Sequence, residues 1–273
     1  MSSYKIISTD LDGTLFDEHG RISPENEAAI RELCARGVLV VPNSGRCLSE
    51  MPAIITDHPL FRYLIQSDGA VVYDKKTNRR LTRCLPKAVS DAVFEILKDY
   101  RVSVSVRQDG FCYVRDTAHN DTDYTANGVS RGWQEHFYKT ATPIDFSLFD
   151  APDTAIEMFC VFFADMAERE ACMARLLALG TVQVASTDKN NIEVFSVDAG
   201  KGKALLALAE SLGIDKKDTI GVGDSTNDSD MILRAGTGLV MENACPELKA
   251  LGGTVICHHR DHAMRYILEH YIK

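Results

Sequence analysis

Ile6-Ile7-Ser8-Thr9-Asp10-Leu11-Asp12-Gly13-Thr14 is the stretch on which the reading of this chain turns. Residues 4–9 read as a short strand that ends at Asp10. Two carboxylates follow, two residues apart, and Gly13 permits a tight turn after them. In an open parallel sheet, ligands bind at the carboxyl ends of the strands, so Asp10 and Asp12 would share that edge. Carboxylates this close repel unless a cation joins them or one keeps its proton. Both arrangements suit phosphoryl chemistry: one carboxylate can be the nucleophile, and the other can deliver a proton to the leaving oxygen. Taken alone, a solvated Asp-Gly turn explains the segment at least as well.

Outward from this stretch the pattern is that of an α/β protein. Ser23-Pro24 reads as a helix cap with proline in the first turn. Ala29, Ile30, Leu33 and Cys34 recur at helical spacing, Gly37 stops the helix, and Val38–Val41 reads as a fully buried strand. The C-terminal third repeats this grammar, with helices predicted over 203–212, 228–235 and 261–271 and strands over 219–222, 238–241 and 254–257. The middle differs. A helical stripe from Val89 to Tyr100 precedes a hairpin turned at Gln108-Asp109-Gly110. A polar stretch from about 116 to 135 has no clear period. A strand over 155–163, a helix over 166–179 and a second hairpin over 182–196 follow. Hairpins mixed with helices predict an α+β insertion. The expected division is 1–82 and 191–273 for one α/β domain and 83–190 for the insertion.

Three further segments each follow a predicted strand and can reach the same sheet edge. Asn43-Ser44-Gly45-Arg46 offers a hydroxyl and backbone N–H groups at a loop entering a helix. Lys201-Gly202-Lys203 puts cations at a helix N-terminus, which the helix dipole disfavours and a bound phosphate would explain. Gly223-Asp224-Ser225-Thr226-Asn227-Asp228 adds two carboxylates, hard oxygen ligands of the kind that suit Mg²⁺. Each has an ordinary reading as a cap or a solvated turn. Together they supply a nucleophile, an acid, a hydroxyl, a lysine and an acidic metal site in order. Spacing alone does not choose between Lys201 and Lys203.

Composition narrows the class. The chain has 273 residues, 45% hydrophobic and 25% charged, ordinary for a globular protein with a well-buried core. A net charge of −9, without a run of five or more Lys or Arg, disfavours nucleic acid as a partner. The eight cysteines form no Cys-x-x-Cys pair and sit mostly in apolar stretches, as small hydrophobes in a reducing compartment would. No apolar run approaches the roughly eighteen residues of a membrane span. No secretory h-region is seen, so a cytoplasmic protein without a membrane partner is expected.

The four segments together resemble the motifs of the haloacid dehalogenase (HAD) superfamily, most closely its Cof-type subgroup (subfamily IIB). Asp10-Leu11-Asp12-Gly13-Thr14 is similar to the first motif, and Ser44 to the Ser/Thr of the second. Lys201 is similar to the lysine of the third, and Gly223–Asp228 to the fourth. The resemblance spans nearly the full chain, with the insertion matched by position rather than by sequence. It implies a Rossmann-like parallel-sheet core with an inserted α+β cap domain that would close over the site and read the leaving group. It implies an Mg²⁺-dependent phosphohydrolase acting on a small phosphorylated metabolite, a sugar phosphate or a phosphorylated cofactor, through a phosphoaspartate. Asp10 would attack phosphorus, and Asp12 would protonate the leaving alcohol and then activate water. Mg²⁺ would bind Asp10, the backbone carbonyl of Asp12, and Asp224. Ser44 and Lys201 would hold the phosphoryl oxygens, and Asn227 and Asp228 would order the metal and phosphate shell.

Three places depart from the subgroup's pattern: Asp68 stands before Gly69-Ala70 where asparagine is usual, Glu242 before Asn243-Ala244 where glycine is usual, and Asp261-His262-Ala263 for Asp-Gly-Val. Arg46, Arg107, Tyr113 and His119 are polar residues of the kind that could read a substrate, and none is assigned a site role. A phosphosugar mutase and a non-catalytic phosphometabolite sensor use parts of the same set. The position of the insertion argues against the first, and Asp12, which a mere binder does not need, argues against the second. A monomer is expected, since the cap can enclose the site without a second subunit.

Overall fold

A computed structural model describes residues 4–115, 124–127 and 129–272. Its elements begin with β1 (Ile6–Thr9), α1 (Pro24–Ala35), β2 (Leu39–Pro42), α2 (Ala53–Thr56), β3 (Tyr63–Gln66), β4 (Val71–Asp74) and β5 (Arg79–Thr82). Next come α3 (Lys87–Leu97), β6 (Val102–Gln108), β7 (Phe111–Val114), α4 (Arg131–Thr140), β8 (Ala141–Pro143), β9 (Met158–Phe163), α5 (Met166–Leu177), β10 (Val182–Ala185) and β11 (Asn191–Ser196). The chain ends with α6 (Lys201–Ser211), β12 (Thr219–Gly223), α7 (Ser229–Arg234), β13 (Thr237–Val240), α8 (Pro246–Lys249), β14 (Thr254–Val255) and α9 (Ala263–Tyr271). They form two compact units, one of Met1–Gly45, Pro52–Leu81 and Gly200–Lys273, the other of Arg46–Met51 and Thr82–Ala199.

The first unit is built on a parallel sheet in the order β14-β13-β12-β1-β2. β1 lies inside it, and all four of its residues are buried, which is why it reads as an unbroken apolar run before its polar end. Thr9 pairs with Val222 on one side and Pro42 on the other. Asp10, Gly223 and Asn43 therefore come level at the carboxyl edge. The backbone continues that pairing: the Asp10 N–H donates to the Val222 carbonyl at 3.0 Å, and the Asn43 N–H to the Thr9 carbonyl at 2.8 Å. Ile6, Val41, Ile65, Leu205, Leu208 and Met231 form a core beside the sheet. Burying each such side chain stabilises the fold by about 1.5–3 kcal/mol. Ser23 caps α1 by accepting from the Asn26 N–H at 3.2 Å, with Pro24 first in the helix, as its sequence predicts. A small antiparallel sheet, β3-β4-β5, follows α2. It falls in a stretch that sequence pattern left unassigned, because β5 is exposed and carries no apolar stripe.

The second unit has a six-stranded sheet, β10-β11-β9-β6-β7-β8, antiparallel except for the β7–β8 pair. Val93, Ile96 and Leu97 of α3 and Cys172 and Leu176 of α5 share one core with Val106, Phe159, Val161 and Val194 of the sheet. The predicted hairpin turns at Asp109 and Gly110, both left-handed (φ 54° and 81°), as a two-residue hairpin turn requires. The expected boundary at 190 cuts the β10–β11 hairpin, whose second strand also pairs with β9. The contacts put the division at Ala199–Gly200 instead. Part of the aperiodic polar stretch, His119 included, lies outside the described residues. Its far end opens α4, which Ser130 caps.

Arg46–Met51 belongs to this second unit because it is tied to the β6–β7 hairpin. The Ser49 N–H donates to the Gly110 carbonyl at 2.9 Å. Arg107, 1% exposed, holds Glu50 with two hydrogen bonds, Nε to Oε2 at 3.1 Å and Nη2 to Oε1 at 2.9 Å. Its Nη1 donates to Ser105 at 2.9 Å. Arg107 is thus a structural cation rather than a group waiting for substrate, and Tyr113 packs edge-on against Phe149. All eight cysteines are free. Among the described residues, no helix is long and apolar enough to cross a membrane.

Burial would raise the Glu50 carboxyl, but the Arg107 charge overrides it and holds the carboxyl far below its ordinary value. The pair's contribution is therefore present above the unfolded carboxyl's pKa of about 4.3 and is lost as pH falls below it. Arg107→Met strands a buried carboxylate and should cost about 3–5 kcal/mol, whereas the double variant Glu50→Leu/Arg107→Met should recover most of that loss. Thermal melts at neutral pH decide it: equal midpoints for the parent and Arg107→Met would show that the pair carries no such weight.

Candidate active site

The carboxyl edge of the parallel sheet gathers the charged residues. Lys201, the first residue of α6, is 0% exposed. Its ammonium donates to Asp10 Oδ1 and to Asp228 Oδ1, each at 2.7 Å. The other oxygen of Asp228 accepts the backbone N–H groups of Asp224 and Ser225, both at 3.0 Å, and so shapes the loop after β12. Asp10, Asp224 and Asp228 each present a carboxylate oxygen within 4.8 Å of the others. Asp224 Oδ1 is buried and has no hydrogen-bond partner among the described residues. Three hard oxygen donors that converge in this way, one of them unmatched, fit a small divalent cation.

Asp12 lies two residues beyond Asp10 and is exposed, whereas Asp10 is buried. Its charge bears on both Asp10 and Asp224. Next in the chain, Gly13 takes φ 80°, and a Cβ there would come within 2.3 Å of Asp224 Oδ2. Only glycine lets the loop after β1 lie this close to the carboxylate. Ser44 is 3% exposed, one residue beyond the Asn43–Thr9 pairing; its N–H donates to the Ile65 carbonyl at 3.0 Å. Asn43 has a structural task, since its amide donates to Ser8 Oγ at 2.9 Å and to the Lys201 carbonyl at 3.1 Å, which fixes the start of α6 against β1.

The two lysines differ in burial: Lys201 enters the carboxylate cluster and Lys203 stays partly exposed. Asp230 takes part in the start of α6. Its Oδ2 accepts the N–H groups of Gly202 and Lys203, both at 3.0 Å, so a side chain already answers the helix N-terminus. Asp68 is a participant that motif reading missed. It is fully buried and accepts from Asn227 Nδ2 at 3.0 Å. Ser67, Asp68 and Gly69 are all left-handed (φ 50°, 51° and 86°). A Cβ on Gly69 would meet the Gly200 carbonyl at 2.2 Å, so this turn packs directly on the entry to α6. The signal was present, because Tyr63–Gln66 is another apolar strand that runs into an acid and a glycine.

Electrostatics follow from this crowding. Burial pushes the Asp10 carboxyl well up; Lys201 opposes the shift, and Asp228, Asp224 and Asp12 add to it. Burial and the Asp228 charge push Asp224 up to about 7 against the pull of Lys201. Burial alone would lower the Lys201 ammonium, yet Asp10 and Asp228 hold it well above its usual value. The lysine stays charged, and the carboxylates around it carry more negative charge than it neutralises. A buried carboxylate, a positioned ammonium and a group of converging carboxylate oxygens at one sheet edge are arranged as phosphoryl transfer would need.

The family model for haloacid dehalogenase-like hydrolases matches residues 7–268. The chain belongs to this family. Phosphatase YwpJ of Bacillus subtilis is 26% identical over 97% of this chain and 99% of its own length. The 5-amino-6-(5-phospho-D-ribitylamino)uracil phosphatase YwtE of the same organism is 27% identical over 97% of each. A solved haloacid dehalogenase-like hydrolase from B. subtilis superposes with a TM-score of 0.84 at 25% identity, over 97% of this chain and 99% of that one. This HAD hydrolase is a phosphatase, a hydrolase of phosphoric monoesters. Its first unit is the α/β core of the fold, and its mixed sheet with helices is the inserted module.

Asp224 and Asp10 have folded pKa values above their unfolded ones, so they favour the folded state when protonated. That stability is fully present below the unfolded pKa of about 3.9 and is lost as pH rises toward the folded values, about 7 for Asp224. In excess chelator the melting temperature should therefore fall as pH rises across this window. Lys201→Met should steepen the fall, and a divalent cation should flatten it for the parent chain. A melting temperature independent of pH in chelator would contradict the uncompensated cluster.

Proposed function

We propose that this phosphatase hydrolyses a small phosphorylated metabolite through a phosphoaspartate on Asp10, with Mg²⁺ as cofactor. The observation that carries the reading is Lys201, bonded at once to Asp10 and Asp228 while Asp224 lies within the same group of oxygens. The Asp10 carboxylate attacks phosphorus and the ester P–O bond breaks. Asp12, exposed in the loop after β1, gives its proton to the departing oxygen. Its carboxylate then takes a proton from water, and the resulting nucleophile attacks phosphorus in the acyl phosphate. Asp10 is regenerated and inorganic phosphate leaves. Ser44 and Lys201 hold the phosphoryl oxygens, and Asn227 and Asp228 order their surroundings. Asp10, Asp224 and the backbone carbonyl of Asp12 would hold Mg²⁺, which when bound neutralises the carboxylates and polarises the phosphoryl group.

Substrate choice would lie with the inserted module, which we take to span the second unit. The relative named for a phosphorylated ribitylamino-pyrimidine points to polyol and sugar phosphates, or phosphorylated cofactors and their precursors, as the first class to try. The test is phosphate release across a panel of such esters in Mg²⁺, with parent chain and Asp10→Asn side by side. Release by the parent alone, stopped reversibly by a chelator, is the expected result. Retained turnover in Asp10→Asn would refute the nucleophile. Silence of a folded parent across the panel would favour a phosphometabolite sensor.

Loss of the nucleophile should leave only uncatalysed hydrolysis, since enzymes of this class supply accelerations of up to about 10²¹-fold. Asp12→Asn should also abolish steady turnover, because no carboxylate then delivers or accepts the proton.

A further inference from the structure

Asn243 lies in the loop that follows β13, outside every motif to which a role has been given. Its side chain joins three separate segments. The amide nitrogen donates to the Gly13 carbonyl at 2.8 Å and to Asp224 Oδ2 at 3.3 Å. The amide oxygen accepts the His259 N–H at 2.9 Å. Both amide hydrogens and the oxygen are thus engaged. The orientation is forced, because turning the amide over would set its oxygen against a carbonyl and a carboxylate and its nitrogen against an N–H donor. The loop itself is pinned to the strand that carries Asp224. The Met241 N–H donates to the Gly223 carbonyl at 3.0 Å, and the Cys245 N–H to the Asp224 carbonyl at 2.9 Å.

The consequence falls on Asp224. Its Oδ2 is enclosed between the Asn243 amide and the Cα side of Gly13, where a Cβ would stand 2.3 Å away. Its Oδ1 is the oxygen left buried without a hydrogen-bond partner among the described residues. We propose that Asn243 is a positioning residue for the cation site: by holding Oδ2 and the Gly13 carbonyl together, it fixes the rotation of the Asp224 carboxylate and aims Oδ1 at the space shared with Asp10 and Asp228. The same bond holds the loop after β1 at its distance from the loop after β12. The inference rests on the reading of Asp224 as a cation ligand.

Partners that orient a ligating carboxylate typically contribute about 10–100-fold in metal affinity. Asn243→Ala removes both donors, and Asn243→Leu removes them while keeping the volume. Mg²⁺ binding to the full chain is measured by calorimetry for the parent, for both variants and for Asp224→Asn, alongside thermal melts without the metal. Expected is a loss of Mg²⁺ affinity in both Asn243 variants within that roughly 10–100-fold range. The Mg²⁺ concentration for half-maximal phosphate release should rise in parallel. A merely structural role would lower the melting temperature without moving the affinity, and that outcome overturns the proposal. Parent-like Mg²⁺ binding in Asn243→Ala and Asn243→Leu, with binding lost in Asp224→Asn, overturns it while leaving the cation site intact. Unchanged binding in Asp224→Asn overturns the cation reading itself, and the role of Asn243 with it.

Discussion

The buried ammonium of Lys201, held between the carboxylates of Asp10 and Asp228, is the contact on which the site is assembled. It joins the end of β1, the start of α6 and the loop after β12, which are separated by 191 and 27 residues in the chain. Taking such charges out of water is expensive, and apolar residues of equal volume often serve stability as well or better. The arrangement is therefore better understood as chemistry that the fold tolerates than as a device for stability. The parallel sheet makes it affordable. Register brings Asp10, Asn43 and Gly223 level at one edge, and the buried strands behind them supply the apolar area that offsets the desolvation.

Backbone conformation does the remaining positioning. Gly13 and Gly69 both sit where a Cβ would strike a neighbouring segment within 2.3 Å. Each marks a loop pressed against another part of the site rather than a loop free in solvent. Ser67 and Asp68 accept left-handed geometry without being glycine, a cost of order 1–3 kcal/mol each that persists only where surrounding contacts enforce it. What those contacts secure is the Asp68–Asn227 hydrogen bond and the packing of the turn on Gly200. Strain, close approach and uncompensated charge thus fall in the same loops.

The α/β class and the edge at which the site forms were legible because buried parallel strands leave short apolar runs, and two of them, β1 and β12, run directly into acidic loops. Asp10, Asp224 and Asp228 could be named for that reason, whereas Lys201 was preferred to Lys203 only through the family resemblance; the four do converge. Asp230 could not be foreseen as the partner of the α6 N-terminus, because its contact with Gly202 depends on how α6 and α7 pack. Asp68 was visible as a departure from a pattern, but its bond to Asn227 spans 159 residues and needs the turn's left-handed backbone. The hairpin strand Asn191–Ser196 was recognised as a strand; its membership of the second unit follows from pairing with β9, which alternation of residues does not encode.

A contrast between two buried charge clusters shows where chemistry can occur. In the second unit Arg107 and Glu50 match one to one, with two parallel hydrogen bonds and a hydroxyl on the remaining nitrogen. Nothing there calls for a further charge, and the pair's work is to tie residues 46–51 to the β6–β7 hairpin. At the sheet edge Asp10, Asp224 and Asp228 share one ammonium, with Asp12 adding its own field. That set cannot be satisfied from within the chain: protons or a cation must complete it. Both clusters are buried and both contain an ion pair, so burial of charge by itself does not distinguish a site from a strut. The unbalanced charge does, and it lies where the parallel strands end.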